Sequence, residues 1–186
     1  TGGKRRLLIG GLGMPDADYT NPTAAQGWQH CLTVPRELRW EDGRLWMRPA
    51  RELEALRGEA QETSFSGRCE MELPLMSELL ISCEGNLKLN LSGAELRAEG
   101  ETLTLTLREG GHGRTSRTAP AGNLRSLRIL ADTSALEIFV NDGEAVLSTR
   151  WYPEGPGRTL ALKGEGRITA YELRPYRVTR TASATR

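Results

Sequence analysis

The stretch LEIFVNDGEAVLSTRW, residues 136–151, decides the fold class of this 186-residue chain. Apolar and polar side chains alternate on both sides of the Asp142-Gly143 pair, as they do on strands with one buried face. An Asp-Gly pair between two such runs is a strong signal for a β-hairpin with a type I′ turn. We therefore predict a hairpin, with Leu136 and Ile138 on its buried face.

The same alternation extends outward from this hairpin, from about residue 60 to residue 176, and TLTLTL (102–107) shows it most regularly. Glycine-rich turns separate the runs, and no helix of useful length interrupts them. This pattern excludes a parallel sheet built from strand–helix–strand units and favours an antiparallel sandwich. The predicted strands are 69–75, 78–84, 86–91, 94–99, 102–108, 114–118, 124–131, 135–141, 144–151, 158–163 and 167–175.

Residues 1–48 are organised differently, as short strands around a long loop. We predict strands at 6–9 and from His30 to Val34, and a second hairpin at 38–47 whose turn is Asp42-Gly43. The loop MPDADYTNPTAAQGWQH, residues 14–30, lies between the first two strands and is rich in polar and aromatic side chains. It is the first place to look for a functional site, because binding residues are commonly carried on loops.

The segment RPARELEALRG, residues 48–58, predicts one short helix. Pro49 lies near its start, and Gly58 follows its last apolar residue, as at many helix ends. We place a domain boundary here. The last ten residues, 177–186, are small and polar, and we expect them to be disordered.

Composition narrows the classes of function. The chain has 25 basic and 24 acidic residues, with a formal net charge of +1, so we expect neither a nucleic acid nor a membrane as partner. Its three cysteines form no CxxC pair and, with His30 and His112, do not supply a metal site, so we expect isolated reduced thiols and a cytoplasmic location. GGLGMPD (10–16) lacks the third glycine of a dinucleotide-binding motif, so we expect no cofactor.

Acidic residues near the decisive hairpin are the first candidates for a hydrolytic carboxylate pair. We predict structural roles for them instead, because two lie in turns and Glu137 points away from the predicted core. The residues considered are Asp132, Glu137, Asp142 and Glu144.

Trp28, Trp40 and Trp46 lie within twenty residues of one another. Clustered aromatic rings commonly stack on sugars, which indicates a carbohydrate-binding surface. Packing of the same rings between a sheet edge and a neighbouring domain explains the cluster equally well. The sequence leaves both interpretations open.

Two segments together resemble the glycoside hydrolase family 32 enzymes, the β-fructofuranosidases, and most of all their bacterial sucrose-6-phosphate hydrolase branch. These segments are RRLLIGGLGMPDADYTNPTAAQGWQHCLTVPRELRWEDGRLWMRPARELEALR (5–57) and LEIFVNDGEAVLSTRWYP (136–153). The resemblance implies a concanavalin/lectin-like β-sandwich, preceded by a remnant of the last blade of a five-bladed β-propeller. In these terms residues 1–48 end the last blade, 49–58 form a linker helix and 60–176 form the sandwich.

The resemblance also implies an activity, hydrolysis of the fructosyl bond of sucrose or sucrose 6-phosphate. The family's catalytic strings, like Asn-Asp-Pro-Asn, Arg-Asp-Pro and Glu-Cys-Pro, do not occur here, so no catalytic residue is assigned and the chain alone is expected to be inactive. The implied partner is the β-propeller catalytic domain of the same enzyme, and a homo-oligomer is also considered. The residues expected near substrate are Asp16, Tyr19, Asn21 and Trp28.

Two other classes of protein remain as alternatives. A carbohydrate-binding module would use the sandwich face or the tryptophan cluster, and a free-standing interaction protein would self-associate. Residues 6–47 would present unpaired strand edges without the rest of their blade, so we expect association, strand exchange or local disorder there.

Overall fold

The computed structural model describes residues 5–13, 21–108, 115–155 and 157–176. Within these ranges the chain is almost entirely antiparallel β-structure, with two short 3₁₀ helices at Pro22–Gln26 and Arg51–Leu56. The fold class predicted from the alternating pattern is confirmed. The predicted disorder of residues 177–186 concerns a segment outside the described residues.

The N-terminal part contains five short strands. Three of them form a sheet in the order β1-β4-β5, and β2 pairs with β3. The turn at Asp42-Gly43 joins β4 to β5 as predicted, with both residues at positive φ, as a type I′ turn requires. The strands are β1 Arg6–Leu8, β2 Gly11–Leu12, β3 Cys31–Leu32, β4 Arg36–Glu41 and β5 Arg44–Pro49.

Ten further strands form the sandwich. Its front sheet has the order β11-β10-β9-β8 and ends on the first half of β15; its back sheet has the order β14-β13-β12-β7 and ends on the second half of β15. β6 pairs with β15 along both halves. The strands are β6 Arg57–Leu73, β7 Ser77–Cys83, β8 Lys88–Leu91, β9 Ala94–Glu99, β10 Thr102–Leu107, β11 Ser116–Pro120, β12 Ser126–Ala131, β13 Ala135–Val140, β14 Ala145–Arg150 and β15 Arg158–Leu173.

The inner faces of the two sheets form one hydrophobic core, in which leucine and isoleucine predominate. The front sheet contributes Leu96 and Leu105, and the back sheet contributes Ile129 and Ile138, each at most 2% exposed. The predicted alternation is therefore correct on these strands. Trp151, just after β14, is 1% exposed in the same core.

Two predictions about strand limits were wrong, for one physical reason. Residues 158–163 and 167–175 were predicted as separate strands, but β15 runs through both, and β6 begins at Arg57 rather than near residue 69. Glycines were interpreted as strand ends, whereas Gly67 and Gly164 pair with each other in the middle of the long ladder. There β15 changes its neighbour from β8 to β7, so the glycines mark the passage between the two sheets.

The helix predicted over residues 49–58 is a 3₁₀ helix over Arg51–Leu56, and β6 begins immediately after it. Gly58 therefore lies inside a strand and does not end a helix. The turn of the decisive hairpin is also shifted by one residue. Asn141 and Asp142 are its two central residues, both at positive φ, and the N–H of Gly143 donates to the carbonyl oxygen of Val140 at 2.9 Å.

Strand β13, in the back sheet, is buried on both of its faces. Every residue of β13 is buried, because residues of the N-terminal part cover the side facing away from the core. Leu53, Leu130 and Phe139 form a second apolar cluster on this outer face, and Val34 and Leu56 pack against it. The N-terminal part therefore docks on the outer face of the back sheet.

Substitution of Gly166 tests the close approach of β15 to β7 at the point where β15 passes from one sheet to the other. A Cβ atom there would lie 2.1 Å from the carbonyl oxygen of Ser82 on the paired strand, so Gly166→Ala forces the backbones apart. We expect the free energy of unfolding, measured by urea denaturation, to fall by about 1–3 kcal/mol.

Gly157→Ala is the control for Gly166→Ala, since nothing lies within 4 Å of the added Cβ. We expect it to change the free energy of unfolding by less than about 0.5 kcal/mol. Equal effects of the two substitutions would contradict the proposed role of Gly166.

Candidate functional site

A buried ion pair joins the N-terminal part to the sandwich. Glu137 lies on the outer face of β13 and is 3% exposed; Arg36, at the start of β4, is 8% exposed. Arg36 Nη2 donates to Glu137 Oε2 at 2.5 Å, and the backbone N–H of Val34 donates to Oε1 at 2.7 Å. Ser148 Oγ is a third donor to the same carboxylate at 3.3 Å. Glu137 thus binds the segment that precedes β4 and has no oxygen free for chemistry.

A second group of side chains connects the long loop to the end of β14. Arg150 is 5% exposed, and its guanidinium carbon lies 5.2 Å from the ring centroids of both Trp28 and Tyr152. Its Nε donates to the Tyr152 hydroxyl at 2.9 Å, and that hydroxyl donates to Asn21 Oδ1 at 2.8 Å. Within the described part of the chain its Nη atoms have no hydrogen-bond acceptor, so ring stacking is the main contact of these nitrogens.

The structure therefore brings Asn21 and Trp28 together near Arg150. They lie, like the Arg36–Glu137 pair, where the N-terminal part contacts the sandwich, a region called the junction below. Asn21 is 3% exposed and its amide also donates to the carbonyl oxygen of Gln29 at 3.3 Å, whereas Trp28 is 39% exposed. Asp16 and Tyr19, the other two residues expected near substrate, lie outside the described residues. Burial raises the pKa of the neighbouring Cys31 thiol, against the opposing influence of the Arg150 guanidinium.

The tip of the decisive hairpin makes a third contact at the junction. The backbone N–H of Met47 donates to the carbonyl oxygen of Gly143 at 3.0 Å, and Arg48 pairs with the Asp142 carboxylate at 2.8 Å. A Cβ atom on Gly143 would lie 2.3 Å from the Met47 carbonyl oxygen. Only glycine permits this approach between β5 and the hairpin tip.

The other acidic residues considered from the sequence also have structural partners. Asp132 accepts a hydrogen bond from the backbone N–H of Thr133 at 2.7 Å. Glu144 accepts from Arg125 and Asn141, each at 3.0 Å. Partial burial works to raise the pKa of Glu144, but these two hydrogen bonds outweigh it and hold the pKa below its usual value.

The three clustered tryptophans do not share one surface. Trp40 and Trp46 lie on opposite faces of the β4–β5 hairpin, since Trp40 pairs with Leu45 and Trp46 pairs with Arg39. Trp40 is 71% exposed, whereas Trp28 stacks on Arg150. A single aromatic platform made of all three rings is therefore excluded by the register of the hairpin.

Arg5 attaches the N-terminal edge to the helical segment. Its guanidinium binds Glu52 at 2.6 Å and Glu37 at 2.8 Å. The hydrogen bonds from Arg5 lower the pKa of Glu52 to about 2, and the pKa of Arg5 is raised in turn.

In the part of the chain that the structure describes, no group of three His, Cys, Asp or Glu residues could hold a metal ion. The same part contains no helix long and apolar enough to cross a membrane.

Sequence reasoning missed the two arginines that organise the junction. Arg36 and Arg150 are buried, and a buried arginine is rare unless it is paired. The usable signal was Glu137, a charged residue inside the apolar run LEIFV, because a charge in such a run requires a partner. The sequence alone did not show which of the 25 basic residues would supply it.

Known proteins share this architecture. Residues 94–175 match the family model described as "Glycosyl hydrolases family 32 C terminal". The chain is 44% identical over 161 residues to the sucrose-6-phosphate hydrolase of Klebsiella pneumoniae, a match that covers 84% of the chain and 34% of the relative. It is 38% identical over 156 residues to the sucrose-6-phosphate hydrolase of Salmonella typhimurium, covering 83% of the chain and 33% of the relative.

The fold also occurs in solved structures of other proteins. The sucrose-6-phosphate hydrolase of Lactobacillus gasseri superposes with a TM-score of 0.80 at 22% identity, over 91% of this chain and 39% of that protein. A family 32 β-fructofuranosidase of Bombyx mori gives 0.78 at 22% identity, over 94% of this chain and 39% of that protein.

The matched family model gives the class of this domain: residues 94–175 of the sandwich form a C-terminal domain of the glycosyl hydrolase type. The chain belongs to glycoside hydrolase family 32, of which it carries the C-terminal portion. It spans about a third of the length of the curated relatives that it matches.

The Arg36–Glu137 pair can be tested by substitution. Arg36→Met leaves the Glu137 carboxylate buried without its cation, and we expect the free energy of unfolding to fall by about 3–5 kcal/mol. In the double variant Arg36→Met, Glu137→Leu the loss should be clearly smaller than the sum of the two single losses, because no charge is left buried alone.

Glu41→Gln is the matched control for this pair. Glu41 lies 3.8 Å from Arg39, and both side chains are about half exposed. We expect this control to change the free energy of unfolding by less than about 1 kcal/mol. Additive effects at Arg36 and Glu137, measured by urea denaturation, would show that the two residues do not act as a pair.

The attachment of Arg5 predicts a pH dependence. The pKa of Glu52 is lowered from 4.5 to about 2, so the stabilisation from this pair is complete above pH 4.5 and is lost as the pH falls toward 2. In a carboxyl-carbon NMR titration, Arg5→Gln should return the pKa of Glu52 toward 4.5. Arg51→Gln, which removes a cation 3.8 Å from Glu52, should shift it less. An unchanged Glu52 titration in Arg5→Gln would refute the assignment.

Proposed function

We propose that this chain is the C-terminal sandwich portion of an enzyme that hydrolyses the fructosyl bond of sucrose or sucrose 6-phosphate. The observation that carries the proposal is the identity of 44% and 38% to two sucrose-6-phosphate hydrolases over most of the chain. In this proposal the chain by itself is structural and not catalytic. The reaction belongs to a β-propeller catalytic domain of the same enzyme.

The docked N-terminal strands support a propeller partner. They form a three-stranded sheet, whereas propeller blades have four strands. Leu7, Leu8 and Ile9, on and beside β1 at one edge of this sheet, are 40–55% exposed. A further strand beside β1 would satisfy the open edge, and other blades would cover these apolar side chains. The remainder of the propeller is therefore the partner that best fits this surface.

The state of the carboxylates supports a non-catalytic role. A retaining glycosidase uses two carboxyl groups about 5–5.5 Å apart, one as nucleophile and one as acid and base. Glu137 is occupied by Val34, Arg36 and Ser148, and Asp142 by Arg48. Neither has an oxygen placed to attack or to protonate a sugar. Both catalytic carboxylates are accordingly assigned to the propeller.

The loop around Asn21 and Trp28 is proposed to border the substrate. Both residues are held by Arg150 and Tyr152 of the sandwich, so the sandwich would fix the position of a loop that belongs to the propeller. Asn21 acts in this proposal as a positioning residue, because its side chain is engaged in hydrogen bonds. Asp16 and Tyr19 remain predicted neighbours of the substrate. A cytoplasmic location and a homo-oligomer remain predictions as well.

Activity assays test the proposal directly. This chain, incubated with sucrose or sucrose 6-phosphate, should release no fructose above the uncatalysed rate. Co-expression with the propeller portion of a family 32 relative that has been truncated before the region matched here should yield a complex with measurable hydrolysis. Fructose release by the chain alone would overturn the assignment of the carboxylates to the propeller.

A carbohydrate-binding module is the alternative, favoured by the exposed ring of Trp40. Calorimetric titration with sucrose and with fructans separates the two functions, because the structural role predicts no saturable binding by this chain. Saturable binding that is lost in Trp40→Ala, and kept in Leu75→Ala, an exposed apolar residue outside the β4–β5 hairpin, would favour the module.

A further inference from the structure

Four basic residues lie in one row across the outer face of the front sheet. The strand registers place Arg68 of β6 opposite Lys163 of β15, Lys163 opposite Lys88 of β8, and Lys88 opposite Arg97 of β9. Neighbouring strands are about 4.8 Å apart, so the row extends over about 14 Å. Nothing in the chain's net charge of +1 predicts this concentration of positive charge.

Among the residues that the structure describes, none pairs as an acid with the centre of the row. Arg68 pairs with Glu70 two residues along its own strand, and Arg97 lies 3.6 Å from Glu99. Lys88 and Lys163 make no ion pair with any residue that the structure describes. Like charges directly opposite each other on paired strands destabilise a sheet, so an anion bound between these two lysines would stabilise it.

The row crosses a shallow depression of about 670 Å³ in the front sheet. The half-buried side chains of Asn90, Thr104 and Thr106 line it and offer hydrogen-bonding groups beside the charges. Two acidic residues also line it. Glu95 lies in the next row, opposite Asn90, and is bound by Arg108 at 2.8 Å, while Glu99 accompanies Arg97. The positive charge at the centre is therefore left uncompensated.

We propose that this depression binds a phosphate group, as the free ion or as the ester of a small molecule, between Lys88 and Lys163. Two ammonium groups close together match the charge of a phosphate dianion, and lysine binds phosphate as a point charge. Arg68 and Arg97 add longer-range attraction at the two ends of the row. Asn90, Thr104 and Thr106 would contact whatever small polar group carries the phosphate.

The inference goes beyond the proposed function and does not depend on it. The row lies on the front sheet, whereas the junction with the N-terminal part lies on the outer face of the back sheet. Its test measures binding and stability, not fructose release. Failure of one proposal therefore leaves the other standing.

The binding test uses this chain at low ionic strength in a buffer without phosphate. We expect saturable calorimetric binding of inorganic phosphate and of glucose 6-phosphate, and none of glucose. A higher affinity for glucose 6-phosphate than for inorganic phosphate would identify an ester as the ligand, and the reverse would identify the free ion. In the double variant Lys88→Gln, Lys163→Gln we expect at least a tenfold loss of affinity for both.

Arg167→Gln is the matched control for the binding test. Arg167 lies on the same strand as Lys163, is exposed, and makes no ion pair within the described ranges, but it lies outside the row. We expect this variant to bind phosphate like the unaltered chain. Equal affinities of the unaltered chain and the double lysine variant would overturn the proposal. So would a duplex oligonucleotide that binds far more tightly than either phosphate, since the surface would then be one for a polyanion.

A stability measurement tests the repulsion between the lysines independently. Lys88→Glu places a carboxylate opposite Lys163, so its thermal midpoint without phosphate should exceed that of the unaltered chain. Phosphate should raise the midpoint of the unaltered chain and leave that of Lys88→Glu unchanged. A phosphate effect of the same size in both proteins would contradict a site at Lys88 and Lys163.

Discussion

The structure depends on one constraint, the burial of strand β13 on both of its faces. One face of β13 packs in the main hydrophobic core. Its outer face carries Phe139 and the carboxylate of Glu137, which are buried as well. Phe139 needs apolar cover, and a buried carboxylate needs donors. The N-terminal part provides both, through the cluster around Leu53 and through Arg36 and the backbone of Val34. The sandwich and the strands before it are thus parts of one packed unit.

This constraint also explains where the loop residues lie. Asn21 and Trp28 contact the sandwich because Arg150, at the end of β14, lies on the same outer face as Glu137. The sandwich therefore also holds a loop of the N-terminal part in position, through Arg150 and Tyr152. In that view the front sheet is the surface left open to solvent, and it carries the uncompensated lysines. The two proposals thus concern separate faces of the molecule, attachment at the back sheet and phosphate binding at the front sheet.

Much of the fold was predictable from local sequence. The Asp42-Gly43 hairpin and the alternation of residues 102–107 were read correctly, because turn chemistry and period-two patterns act over a few residues. Gly58, Gly164 and Gly166 were misread as ends of elements. A glycine that ends a strand and one that lets a strand pass close to another backbone look the same in sequence, and the difference depends on a neighbour such as Ser82, which is 84 residues away from Gly166. The contact between Arg36 and Glu137 could not be predicted for the same reason, since the two residues are 101 positions apart in the chain.

The sequence by itself determined the antiparallel sandwich, its main hairpins and the resemblance to family 32, because each rests on residues that are close together in the chain. Only the tertiary structure decided that Arg36 binds Glu137, that Arg150 stacks on Trp28, and that Lys88 faces Lys163. These pairings depend on strand register and sheet order, which arise when distant segments pair. The burial of a side chain and the charges around it depend on which strands pair. The candidate sites of this protein could therefore be located only from the tertiary structure.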